Sequence, residues 1–163
     1  CVNSMPAPAN PNLSLATYYS SLLRARAKDA NGAWHEAQSL QPEFVLLRTD
    51  IAIGVARMAL ANGNLDSGGA ILAALVSRRP DVAEARVLLA AVQLDQKSPD
   101  AALKTLDPLK ASQNPQVQAM VAQGYMRTGR YSDAILALQK AMTSSGTGNG
   151  HDLMKRHVVR LKH

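Results

Sequence analysis

From Leu13 onward, apolar residues recur three and four positions apart, with polar residues between them, which is the spacing of one face of an α-helix. The periodic stretches are interrupted at Asn31-Gly32, Pro42, Asn62-Gly63-Asn64, Arg79-Pro80-Asp81, Ser98-Pro99-Asp100, Asn114-Pro115, Thr128-Gly129-Arg130 and Ser144 to Gly150. Gly, Asn and Pro at these points end helices or open turns, so the chain is predicted to be a series of helices of about 10 to 20 residues. No stretch alternates apolar and polar residues long enough to argue a strand. The longest strictly apolar runs, Ala70 to Val76 and Val87 to Val92, fall far short of the roughly 20 residues that cross a bilayer. Composition agrees with an all-α reading: 47% of residues are hydrophobic but only 4% aromatic, which favours closely packed helices over a sheet.

The breaks also carry a period. Gly63 and Gly129 lie 66 residues apart, close to two repeats of about 34 residues, and one further copy fits between them. The last copy reads Val121-Ala122, Tyr125, Gly129, Tyr131, Ala134, Leu138 and Ala141. The earlier copy gives Val55-Ala56, Gly63, Leu65, Gly68, Leu72 and a closing Pro80, and the middle one gives Leu89-Ala90, Ala102, Leu106 and Pro115. Two antiparallel helices approach closely only where small residues face each other, and Ala56, Gly68, Ala90, Ala102, Ala122 and Ala134 supply those positions. On these residues, across about residues 49 to 145, the chain resembles the tetratricopeptide repeat family. The resemblance implies an all-α, right-handed superhelical solenoid of antiparallel helix hairpins with a concave surface lined by each first helix.

Outside the copies the pattern weakens. Residues 1–12 hold three prolines and three asparagines with no period and read as a tether. Residues 13–145 form the expected helical repeat domain, with a first hairpin, Leu13 to Gln41, that fits the signature poorly. Residues 146–163 read as a Gly-rich linker followed by the first helix of a further hairpin, Asp152 to Lys162. Pro108 falls inside a second helix, where it should remove a hydrogen bond and bend the axis.

Charge and chemistry-bearing residues add little that points to catalysis. The net charge is +6, but basic residues are scattered apart from Lys155, Arg156, Arg160 and Lys162, and no nucleic-acid-binding motif is present. His151, His157 and His163 repeat every six residues, which places successive imidazoles about 120° apart around a helix, unlike a metal-binding i, i+4 pair. His35-Glu36 lacks the second histidine of a zinc motif and reads as an exposed helical turn. Gly146, Gly148 and Gly150 follow a helix rather than a strand and read as linker, not as a phosphate loop. No Walker sequence, nucleophile elbow or catalytic triad is present, so the expectation is a non-enzyme without metal or cofactor.

The partner surface is expected at the inward positions of the first helices. These are Asp50, Ile53, Arg57 and Leu60, then Glu84, Val87, Ala91 and Leu94, then Gln116, Ala119, Gln123 and Met126. Such a mixed surface suits an extended peptide or a helix, held by apolar contacts and steered by Arg57 and Glu84. The runs Ala85 to Ser112, with Leu-Asp-Pro-Leu at 106 to 109, and Val121 to Ala141 are similar in their Ala/Leu-rich style to tetratricopeptide lipoproteins of exopolysaccharide export and exosortase-linked (PEP-CTERM) systems. That likeness implies a periplasmic scaffold in a bacterial envelope complex, anchored to the outer membrane through a lipid on Cys1. The alternatives are a pilus-assembly lipoprotein, a cytoplasmic scaffold, or a module that binds carbohydrate or nucleic acid directly. Tyr125 and Tyr131 are assigned to the repeat core, so a sugar platform would have to come from Tyr18, Tyr19, Trp34 or Phe44.

Overall fold

The computed structural model describes residues 10–145, all-helical with short connections and no strand among the described residues. Contacts divide the chain into two compact units, Cys1–Ala85 and Arg86–His163.

In the first unit, α1 (Pro11–Arg26) opens with Pro11 in its first turn, and the Asn10 side chain accepts a hydrogen bond from the Asn12 backbone N–H at 3.0 Å. Proline there lacks only an N–H that the helix would leave unpaired anyway. The helix therefore starts inside the stretch 1–12 that the sequence assigned to a tether, because proline initiates helices as well as breaking them. α2 (Ala30–Ala37) is capped by Asp29, whose carboxylate accepts from the Gly32 N–H at 2.9 Å. Asn31-Gly32 is thus the first turn of α2, not a break; the break lies at 27–29, where Lys28 takes a left-handed φ of 65°. A single turn, α3 (Pro42–Val45), precedes the hairpin of α4 (Thr49–Ala61) and α5 (Leu65–Arg78).

The α4–α5 hairpin closes on small residues. A Cβ at Gly68 would lie 2.6 Å from Leu60 Cδ2 and 3.3 Å from the Ala56 carbonyl oxygen, so the helix backbones meet closely at Ala56 and Gly68. Gly63 supplies the turn with φ 82°, a left-handed conformation that costs an L-residue about 1–2 kcal/mol. α1 packs on α4 through Tyr18: its hydroxyl donates to the Asp50 carbonyl at 3.3 Å and fills the space a Cβ on Gly54 would need. Burial, and then the Asp50 charge, raise the Tyr18 phenol above its ordinary value.

Arg24 ties the α1–α2 hairpin together, with Nη1 3.1 Å from Asp29 and Nε 2.6 Å from Glu36. The Gly32 N–H and then Arg24 hold the Asp29 carboxyl below its usual value; the Ser20 hydroxyl and then Arg24 do the same for Glu36. Glu36 is half-buried and paired between helices rather than standing on an exposed turn beside His35.

The unit boundary falls within α6 (Ala83–Asp95). In the second unit, α7 (Pro99–Leu106) follows a turn in which Lys97 has φ 60°, and α8 (Pro115–Arg127) and α9 (Tyr131–Ser145) enclose Gly129 at φ 75°. Lys97 therefore occupies the left-handed turn position that Gly63 and Gly129 hold in their copies. Pro108 does not bend a helix as expected. α7 ends at Leu106, and Asp107–Leu109 forms one 3-10 turn, which tolerates the missing N–H. Leu103, Leu106, Val117, Val121, Ala122 and Ala134 are members of one buried cluster.

Gln118 is buried at 1% exposure, and its Nε2 donates to the Lys110 carbonyl at 2.9 Å and the Ser112 carbonyl at 2.6 Å. These bonds fix the irregular segment between Pro108 and α8. Arg127 Nη1 likewise donates to the Leu94 carbonyl in the last turn of α6.

Two outcomes follow from this packing. Gln118→Leu leaves the Lys110 and Ser112 carbonyls without their donor and should destabilise the chain by about 1–3 kcal/mol in urea denaturation. The second outcome concerns acid. Carboxyls depressed in the folded state stabilise it above their unfolded values, so the Asp29 and Glu36 contribution is complete above 3.8 and 4.5. It is lost as pH falls through the lower folded values, and Tm measured against pH should drop less steeply there for Glu36→Gln than for the native chain.

Candidate partner-binding surface

The first-helix positions proposed to meet a partner do not share one environment. On α4, Asp50 and Arg57 are exposed, Ile53 is buried, and Leu60 is half-buried against Gly68. Ile53 is therefore occupied with packing, and Leu60 helps close the α4–α5 hairpin, so neither is free to meet a partner as expected. The inward face of a first helix also has to pack on its neighbours, and the larger apolar residues are consumed there.

Arg57 and Glu84 are brought together. Arg57 Nη2 lies 2.7 Å from Glu84 Oε1, and the two side chains are 58% and 56% exposed. They hold each other across the gap from α4 to the start of α6, so the charges expected to steer a partner already satisfy one another in the free protein. An exposed pair of this kind contributes only about 0–1 kcal/mol, so exchanging one member for a partner's charge costs little. Asp50 is engaged as well: Arg48 Nε and Nη2 lie 3.0 and 2.7 Å from its two carboxylate oxygens. The Arg48 hydrogen bonds hold the Asp50 carboxyl below the ordinary range.

In the second unit, Gln116, Ala119, Gln123 and Met126 lie on the exposed side of α8, while Val87 packs against the buried cluster and Ala91 is half-buried. Leu94 belongs to that cluster and is a correction of the same kind as Ile53. Tyr125 lies between cations, with Arg130 Cζ 4.5 Å and Lys110 Nζ 5.8 Å from its ring centroid, and Lys110 is itself bound to Asp107 at 2.7 Å. The Asp107 carboxylate raises the Lys110 ammonium and is lowered in return. Tyr131, assigned to the core from its place in the repeat, is 67% exposed instead. It stands at the start of α9, largely uncovered by the described residues.

Two features escaped the sequence reading. The first is an apolar pocket of about 250 Å³ in the first unit, walled by Trp34 and Ala37 of α2, Val45 of α3, and Ala70 and Ala74 of α5, over Val55. Its cue was the run of small residues in α5, which leaves space opposite the indole. The second is Tyr18, one of the aromatics available to a sugar platform, which is buried at the α1–α4 contact; Tyr19 remains exposed. Cys1, His151, His157, His163 and the Gly146 to Gly150 string lie outside the described residues.

The comparisons match this architecture. A family model described as a tetratricopeptide repeat-like domain matches residues 10–163. The solved structure named MamA AMB-1 is similar over 92% of this chain and 94% of its own, with 17% identity and a TM-score of 0.67. A point mutant of MamA is similar over 81% of this chain and 98% of its own, with 12% identity and a TM-score of 0.53. At these identities the likeness concerns the fold. No curated protein matches the chain. With the family model spanning α1 through α9 and hairpins closed on Ala56, Gly68, Ala122 and Ala134, the chain belongs to the tetratricopeptide repeat-like domain family.

Proposed function

We propose that the chain is a non-catalytic scaffold that binds a protein partner, a peptide or a helix, along the exposed parts of its first helices. The observation that carries this is the Arg57–Glu84 pair: two opposite charges, more than half exposed, one on α4 and the other at the start of α6, in a repeat family whose stacked hairpins present binding surfaces. A partner carrying its own acid and base in the same order replaces the internal pair with two intermolecular ones. In the second unit, taken by itself, Gln116, Gln123 and Met126 on α8 offer hydrogen bonding and one adaptable apolar contact.

The finer reading is that this scaffold organises a bacterial envelope polysaccharide export or secretion complex, in the periplasm and held to the outer membrane through a lipid on Cys1. Its support is the likeness of the stretches Ala85 to Ser112 and Val121 to Ala141 to lipoproteins of such systems. Cells fed a labelled fatty acid should label the protein, and Cys1→Ser should abolish the label.

In-cell photo-crosslinking from positions 57 and 123, with mass spectrometry of the adduct, is expected to capture one envelope component; self-adducts alone would sink the scaffold reading. The pair itself should be weakly coupled: a double-mutant cycle of Arg57→Ala and Glu84→Ala in the free protein is expected to give under about 1 kcal/mol. Partner binding should fall further for each single change than stability does.

A further inference from the structure

α2, α3 and α5 each pack on α4, and they leave a cleft between them over Val55. Two segments account for the space. α2 has eight residues and is about 12 Å long, whereas α5 has 14 residues and runs about 21 Å, so α2 is too short to cover it. Gly68, Leu72 and Leu75 form the buried side of α5. The side turned to the cleft carries Ala70, Ile71 and Ala74, two of them too small to fill the gap.

The cleft holds about 250 Å³. Its floor is Ala37, Leu40, Val45 and Val55, all buried, and its rim is Gln38, Pro42 and Ala70, all exposed. A ligand can therefore enter without the fold opening. Apart from the Trp34 N–H, Gln38 is the only lining side chain that can form a hydrogen bond, and it stands at the rim. An ordered water needs two to four polar partners, which the floor does not offer. Water hydrates such a floor poorly, and its release favours an apolar occupant.

Volume and lining chemistry together select that occupant. A sugar would leave its hydroxyls unpaired against the floor, with the cost of any buried polar group that lacks a partner. A peptide strand brings backbone amides with the same difficulty, and a single Leu or Phe side chain fills only part of the space. An apolar cavity of about 150 Å³ takes benzene, with six carbons, so about 250 Å³ takes about ten in proportion. We propose that the cleft binds the hydrocarbon chain of a small amphiphile, about eight to ten carbons long, lying over Val55 with its polar head outside the rim beside Gln38. The site is separate from the first-helix surface, since Arg57 and Glu84 line no part of it, and failure of either reading leaves the other standing.

Equilibrium dialysis of the full chain against labelled straight-chain 1-alkanols tests the site. One alkanol should bind per chain, with affinity rising about fourfold for each added CH₂ and levelling off near about ten carbons. Ala74→Leu fills the cleft from α5 and should weaken 1-decanol binding by at least about tenfold, because its three added carbons displace part of the chain. Ala73→Leu, exposed on the same helix and outside the lining, should leave binding unchanged. In the native chain, nuclear Overhauser contacts should join the decanol methylenes to the Trp34 ring, a measurement that depends on neither variant folding. Absence of saturable binding would mean that the cleft stays hydrated or takes a partner's side chain, and overturns the proposal. Affinity that keeps rising well past ten carbons, or equal binding by Ala74→Leu with helicity intact, overturns it too. Vesicles of phosphatidylcholine should leave the protein in the supernatant; co-sedimentation that Ala74→Leu abolishes would assign the cleft to a bilayer lipid instead.

Discussion

Each hairpin depends on how near its two helices can come. At Ala56 and Gly68 there is no room for a larger side chain, and Ala122 and Ala134 share the buried cluster of the second unit. Close approach lets the medium-sized residues on either side, Leu72 and Leu75 in the first unit and Val121 and Leu106 in the second, fill the remaining volume without voids. It also explains the low aromatic content, since few positions have space for a ring. Where a ring is buried, at Tyr18, a neighbouring glycine makes the space.

This constraint made the fold legible in the sequence. Small residues recurring in phase, with Gly63 and Gly129 at the turns, carry a geometric requirement that cannot be met in many other ways, and the hairpins of the structure follow them. The misreadings occurred where one residue type serves two purposes. Asn31-Gly32 has the composition of a turn, but the Asp29 carboxylate reaches the Gly32 N–H and draws both residues into a helix. Pro108 can bend a helix or end it, and the choice depended on whether a 3-10 turn could absorb it. Lys97 gave no sign that it would take a glycine's backbone conformation.

The partner surface was less legible, because a first helix faces its neighbours as well as any ligand. Periodicity places Ile53, Leu60 and Leu94 on the inward side, yet it cannot say which inward residues the neighbouring helices use. Arg57 and Glu84 are exposed and paired with each other, since desolvating either charge would be costly. Gln118 was missed for the opposite reason. It stands where the repeat signature carries a tryptophan, and a polar residue in that slot reads as a departure until the carbonyls it serves are seen.

The pocket beside α2 bears on how the molecule can be observed. Trp34, in its wall, is the only tryptophan of the chain, and it belongs to the first unit. Indole emission therefore reports the solvent access of that unit alone, whereas the far-ultraviolet circular dichroism of the helices averages over both. If the two units melt as one cooperative body, the optical transitions coincide; if they melt separately, the fluorescence curve detaches from the dichroism curve without any label being introduced. The residue that shapes the cavity is thus also a native probe of whether the repeat array behaves as one thermodynamic system.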